Sequence, residues 1–270
     1  MTIVRTVAEY CALSLTDVGF VPTMGALHAG HCELIKATSS HQNRVVSIFV
    51  NPTQFGPNED LTRYPRPFER DVELASEAGA NVIFAPTVEE MYPSHPTMIH
   101  VPIVTEHFEG SSRPGHFHGV ATIVAKLFGI VQPTTAYFGQ KDLQQCAVIT
   151  KMVKDLNLPV QIQIEPTIRE ADGLAMSSRN VYLTPEQRSK APQIYRQLCV
   201  ASDAIWLGAN IHQVLEDSIQ ALNAGGFEVD YFALIERNGF APTHSLNSNL
   251  ALITAAKLGT TRLIDNVLLD

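Results

Sequence analysis

Apolar positions along the chain follow two spacings, and the switches between them outline its elements. Val18, Phe20 and Val21, and then residues 45–50 interrupted only by Ser47, read as strands covered on both faces, as in a parallel sheet. Between them Cys32, Leu34, Ile35 and Ala37 fall on one face of a helix starting near Gly30. Pro22, Gly25 and Gly30 predict a tight loop joining the first strand to that helix. The opening therefore predicts a βαβ unit, whose crossover is almost always right-handed. The alternation continues with a helix over 68–78, a short strand over 82–85, a Gly-, His- and Arg-rich loop over 106–119 and an apolar helix over 120–130. A strand over 135–138, a helix over 143–156 and a strand over 160–165 follow. This order predicts an α/β domain built on a doubly wound parallel sheet. Beyond it, Thr184 and Pro185 open a helix as N-cap and first helical residue. Helices over 185–206 and 211–224, then strands over 229–235, 250–255 and 262–267, predict a smaller α+β domain. The expected domains are residues 1–168 and 169–270.

Composition narrows the function classes. A chain of 270 residues, 45% hydrophobic and 17% charged, has the balance of an ordinary globular protein and buries a substantial core. Nineteen basic against 27 acidic residues leave a net charge of −8. That argues against nonspecific binding of nucleic acid or of an anionic membrane, although a local basic pocket stays open. Cys11, Cys32, Cys146 and Cys199 form no Cys-x-x-Cys pair, which fits a reducing cytoplasm rather than a disulfide framework or a zinc site. No apolar stretch is long enough to span a bilayer, residues 1–5 lack a signal-peptide run, and no repeat is evident.

The chemistry concentrates in the joins between elements. Residues 21–31 read Val-Pro-Thr-Met-Gly-Ala-Leu-His-Ala-Gly-His. A strand–loop–helix join aims backbone N–H groups and the positive end of a helix dipole at one spot, where phosphate binds well. His28 and His31, three apart, can both face that spot and donate to phosphate oxygens as charge develops. A corner with two surface histidines is the ordinary alternative. Gly139-Gln140-Lys141-Asp142 marks a second strand-to-helix join. There Lys141 is a movable charge for phosphate and Asp142 a hard ligand for Mg²⁺, unless the two are only a solvated pair. Ser177, Ser178 and Arg179 form a hydroxyl-rich loop able to wrap polyphosphate, or else an ordinary linker. Gln54 and Gln145 are neutral donors and acceptors suited to a small hydroxy acid, or surface amides. His116 and His118 read as a pocket wall, with a transition-metal site as the weaker alternative for want of companion ligands. Cys32 and Cys146 read as small buried helix residues.

His-x-Gly-His after a first strand resembles the nucleotidyltransferase superfamily, related to class I aminoacyl-tRNA synthetases. The longer Pro-Thr-Met-Gly-Ala-Leu-His-x-Gly-His is similar to the pantothenate synthetase (pantoate–β-alanine ligase) family. The likeness extends in order through Phe49–Phe55, Arg113–Phe117, Phe138–Gln145, Arg169–Asn180 and the closing Leu-Gly-Thr-Thr-Arg-Leu-Ile-Asp-Asn of residues 258–266. It implies a Rossmann-like domain with a C-terminal lid that excludes water. It also implies ATP-dependent ligation of (R)-pantoate and β-alanine through a pantoyl adenylate, in a cytoplasmic homodimer using Mg²⁺. By resemblance, Met24, Gly25, Ala26, Leu27, His28, Ala29, Gly30 and His31 form an ATP-binding loop, with His31 as proton donor. Gly139, Gln140, Lys141, Asp142, Ile168, Met176, Ser177, Ser178 and Arg179 complete the ATP site. His28, His31, Lys141, Ser177, Ser178 and Arg179 carry the catalysis, Asp142 meets the metal, and Gln54, Gln145 and His116 meet substrate. Gln140 departs from the Glu expected there, and Cys32 from Leu. The alternatives are another enzyme of the superfamily, such as a phosphopantetheine or nicotinamide-mononucleotide adenylyltransferase, and a non-catalytic nucleotide sensor.

Overall fold

The computed structural model describes residues 1–57 and 59–269. Two compact units emerge: residues Met1–Gly139 with Val148–Pro166, and Gln140–Ala147 with Thr167–Asp270.

The first unit is a six-stranded parallel sheet in the order β1-β4-β3-β2-β5-β6. In chain order its elements are β1 (Thr2–Val4), α1 (Val7–Ala12), β2 (Val18–Thr23), α2 (Ala29–Ala37), β3 (Asn43–Ile48), α3 (Phe68–Glu77) and β4 (Val82–Phe84). Then come α4 (Val88–Met91), α5 (Glu109–Ser112), α6 (His116–Val131), β5 (Thr135–Gly139), α7 (Leu143–Asp155, whose residues up to Ala147 belong to the second unit) and β6 (Gln161–Glu165). Successive strand residues face opposite ways, so Ile83 and Phe84 serve different layers. Ile83 joins Val21, Val46 and Tyr137 in the layer under Ile35 of α2 and Ala75 of α3. Phe84 meets Tyr10 of α1, and Phe138 meets Phe128 of α6, on the other face. Helices thus cover both faces, which is why β2, β4 and β5 are largely apolar, whereas the edge strand β6 reads Gln-Ile-Gln-Ile-Glu and is mostly exposed. The chain runs outward through β3 and β4 on one side of β2 and through β5 and β6 on the other. The switch point therefore lies between β2 and β5, whose carboxyl ends form the edge where such sheets bind ligands.

The second unit holds a four-stranded antiparallel sheet and three helices. They are α8 (Pro185–Lys190), α9 (Gln193–Trp206), α10 (Ile211–Ala224), β7 (Glu228–Glu236), β8 (Ala241–Pro242), β9 (Leu250–Leu258) and β10 (Thr261–Leu269). Leu198 and Ile205 of α9 and Leu222 of α10 pack with Leu234, Leu252 and Leu263 of the sheet.

Several sequence expectations need correction. Pro22 lies inside β2, paired with Ser47; the β5 pairing has already ended at Phe20, so the missing N–H breaks no ladder there. Gly30 lies inside α2 rather than in the loop. The loop expected over 106–119 contains α5, and α6 begins at His116 behind Gly115 at φ +82°. The helix expected over 185–206 is two, because Pro192 cannot donate and instead opens α9. Strands β1 and β8 and helix α1, at 3, 2 and 6 residues, are too short to show a period.

Candidate active site

In the first unit the chain leaves the carboxyl end of β2 through residues 24–28 and enters α2 at Ala29. Gly25 at φ +79° and Ala26 at φ +50° turn the backbone left-handed. A side chain at Gly25 would also press within 2.8 Å of an Asp71 oxygen, so only glycine fits both demands. The loop's N–H groups were expected to point outward for phosphate; the structure corrects this. Gly25 N–H donates to Thr23 Oγ1 at 3.1 Å. Ala26 and Leu27 N–H donate to the two oxygens of Asp71 at 2.9 and 2.7 Å. Asp71 comes from α3 and is 1% exposed. Burial pushes its carboxyl above the usual range, and the two N–H donors offset only part of that.

The histidines organise the helix start. His28 is the N-cap of α2, and its Nδ1 accepts from Gly30 N–H at 3.1 Å. His31 Nδ1 accepts in turn from His28 N–H at 3.3 Å. Each Nδ1 is therefore an acceptor, which leaves the proton of each neutral ring on Nε2. The half-buried rings lie 4.1 Å apart between centroids. The pair expected from spacing is thus brought together as two Nε2–H donors, held by the backbone they cap.

Gln54 sits in a 3-10 turn over Pro52–Gln54 and is 8% exposed. Its Oε1 accepts from Asn51 Nδ2 at 2.9 Å, which leaves Nε2–H as its donor. Asn51, fully buried, also donates to Gly119 O and accepts from Thr53 and Tyr92 OH. A side chain at Gly119 would sit 2.2 Å from Thr53 O, so glycine lets α6 approach this turn. His116 occupies both ring nitrogens locally: Nδ1–H donates to Gln54 O at 2.8 Å and Nε2 accepts from Arg113 at 3.0 Å. Burial, helped by the Arg113 charge, pushes His116 down to about 4, so the ring stays neutral. Arg113 also holds Glu59 through two bonds of 2.7 Å. Burial alone would raise the Glu59 carboxyl, but the Arg113 guanidinium outweighs it and holds the group below the usual range. His118 lies beside His100 at 4.5 Å between centroids. Among the described residues no group of three His, Cys, Asp or Glu could hold a metal.

The second unit holds the other candidates. Gln140, Lys141 and Asp142 form a 3-10 turn leading into α7, and half-buried Gln145 follows in its first turn. Lys141 Nζ lies 3.5 Å from Asp142 Oδ1, and the Asp142 side chain is 47% exposed. Ile168 O accepts from Met176 N–H at 3.0 Å, so these two join across a small hairpin closed by the Arg169–Ala175 bridge. Ser177 Oγ caps the turn Ser178–Tyr182 by accepting from Arg179 N–H at 3.3 Å. Arg188 braces this loop through Glu170 and Asp172, both at 2.6 Å. Cys146 is fully buried, and burial pushes its thiol far up, which fits the inert reading.

Asn51 and Asp71 were missed as site residues. Both left a signal: Asn51 precedes a proline at a strand end, a common turn-former, and Asp71 stands on the apolar face of α3 between Phe68 and Ala75.

With this geometry in place, similarity to known proteins is specific. A family model described as pantoate-beta-alanine ligase matches residues 2–268. The pantothenate synthetase of Moorella thermoacetica is 52% identical over 260 residues, 94% of this chain and 91% of the relative. That of Pseudomonas aeruginosa is 54% identical over 255 residues, 93% of this chain and 90% of the relative. The crystal structure of pantothenate synthetase from Thermus thermophilus matches with a TM-score of 0.95 at 48% identity, covering 99% of both chains. The pantoate-beta-alanine ligase from Francisella tularensis, complexed with beta-gamma ATP and beta-alanine, matches with a TM-score of 0.84 at 35% identity, covering 99% of this chain and 97% of that one.

Proposed function

The chain belongs to the pantoate–β-alanine ligase family, and from that premise we propose that it joins (R)-pantoate to β-alanine at the expense of ATP. A carboxylate oxygen of pantoate attacks the α-phosphorus of ATP and displaces pyrophosphate. The β-alanine amine then attacks the acyl carbon of the pantoyl adenylate, the bond to AMP breaks, and the amine loses a proton.

The observation that carries this reading is the mutual locking of His28 and His31. Their Nδ1 atoms accept from the backbone, so the proton of each neutral ring is on Nε2, at the start of α2. Two neutral donors at a helix N-terminus suit phosphate oxygens on which charge develops in the first step. Lys141 and Arg179 supply cationic partners for polyphosphate, and Ser177 and Ser178 supply hydroxyl donors. Residues 24–31, Gly139, Gln140, Ile168 and Met176 complete the nucleotide contacts. Asp142 would hold a Mg²⁺, a hard cation that takes carboxylate oxygens. It offers one partly exposed carboxylate, and a hard cation held this way needs no cage of protein ligands. When bound, the ion neutralises phosphate charge.

Gln54 Nε2–H and Gln145 meet the oxygens of pantoate. His116 acts by orienting Gln54, because both of its ring nitrogens are already engaged. The reading includes a cytoplasmic homodimer, supported by four cysteines with no disulfide among them for the compartment and testable by light scattering for the assembly.

ATP–pyrophosphate exchange across a panel of hydroxy acids tests the reaction. Pantoate alone should support exchange, without β-alanine, and Gln54→Ala should raise the pantoate requirement. Strict dependence on β-alanine, or equal exchange with unrelated acids, overturns the reading.

A further inference from the structure

The last long strand, β10, carries two adjacent buried polar residues, Asp265 at 4% and Asn266 at 2% exposure. Neither faces the solvent, so their hydrogen bonds show what they serve. Asn266 Nδ2 donates to Gln140 O and to Lys141 O, both at 3.0 Å. Its Oδ1 accepts from Gln140 Nε2 at 3.0 Å. This assignment of the amide is self-consistent: reversing it would set an oxygen against two carbonyls. Asp265 takes Arg169 in a two-armed pair at 2.6 and 2.9 Å. Arg169 also donates to Gly173 O at 3.1 Å and lies 3.5 Å from the Tyr195 ring centroid.

Arg169 belongs to the hairpin whose flanks are Ile168 and Met176. The 140–142 turn and the 168–179 segment lie far apart in sequence, and both meet these neighbouring residues of one strand, the turn through the Asn266 side chain and the segment through Asp265 and, from Arg169, the Asn266 carbonyl at 3.3 Å. The turn's membership of the second unit has the same source.

We propose that Asp265 and Asn266 are positioning residues for ATP: Asn266 fixes the backbone that carries Lys141, and Asp265 fixes, through Arg169, the hairpin that leads to Ser177–Arg179. The proposal rests on the reading that these two segments bind nucleotide. The geometry also explains Gln140 in this chain. Gln140 supplies the N–H that Asn266 Oδ1 accepts, whereas an ionised carboxylate there would face that oxygen without a proton to share.

The test is a double-mutant cycle on the full chain, reading the KM for ATP, the KM for pantoate and thermal unfolding. Asn266→Ala should raise the ATP KM about tenfold or more, since small misplacements of a binding group have large effects. The pantoate KM should stay within about twofold. In Lys141→Ala the same Asn266 change should add little, because the group it positions is already gone. Asn266→Ser, a smaller polar side chain that cannot reach both carbonyls, repeats the cycle more gently and serves if Asn266→Ala fails to fold. Unchanged ATP KM in either Asn266 variant, or full additivity with Lys141→Ala, overturns the proposal. If Lys141→Ala itself leaves ATP dependence unchanged, the nucleotide reading fails first, and the proposal with it.

Discussion

Asp71 anchors the loop that follows β2 in the first unit. Its carboxylate accepts from Ala26 N–H at 2.9 Å and Leu27 N–H at 2.7 Å, in a loop whose residues Gly25 and Ala26 both have positive φ. Hydrogen bonds to a charged acceptor contribute about 1.5–3 kcal/mol each, so the pair is worth about 3–6 kcal/mol. The buried charge works against this, as the raised carboxyl shows. Asp71→Ala should therefore cost about 2–4 kcal/mol net, because it leaves two buried donors without partners. Asp71→Asn keeps one acceptor oxygen and removes the charge, so it should cost about half as much. Urea unfolding at pH 7, read at the transition of the first unit with an unchanged slope, measures both.

The pH dependence has a definite sign. A carboxyl raised in the folded state binds more protons there than in the unfolded chain. Its contribution to stability is complete at pH values below the ordinary carboxylate range and is lost as pH rises through the raised value. Relative to Asp71→Asn, the parent should therefore lose stability as pH climbs through that window. A loss below about 0.5 kcal/mol in Asp71→Ala would refute the anchoring role, and a parent that gains stability over the window would refute the sign.

Other expectations follow from the same geometry. His31→Ala should lower ATP–pyrophosphate exchange roughly a hundredfold while the protein stays folded, as loss of one transition-state donor does; near-normal single-turnover pyrophosphate release would refute it. Lys141→Ala should raise the ATP requirement, and Lys141→Arg should restore it poorly, since a planar fork does not replace a compact ammonium; full rescue by arginine would count against a point-charge role. His116, pushed down to about 4, is neutral in the fold and charged in the unfolded chain below its ordinary value of about 6.5. It should therefore contribute stability above about pH 6.5 that is lost as pH falls toward 4, and His116→Gln should flatten that part of the profile; an unchanged profile would show that His116 does not titrate there.

The sequence by itself determined the local structure of this protein, and with it much of the candidate chemistry. Runs such as 45–50 and the one-sided spacing of Cys32, Leu34 and Ile35 carry their period within a few residues, and burial on both faces of the sheet follows from that period. The strand-to-helix join at His28 and His31 was legible for the same reason, since glycines and a change of period mark it. Only the tertiary structure decided which groups hold these pieces. Asp71 meets Ala26 across 45 positions, His116 meets Gln54 across 62, and Asn266 meets Gln140 across 126. No periodicity spans such distances. A buried acid or amide on an apolar face announces that it needs a partner, but folding alone chooses which backbone it will satisfy.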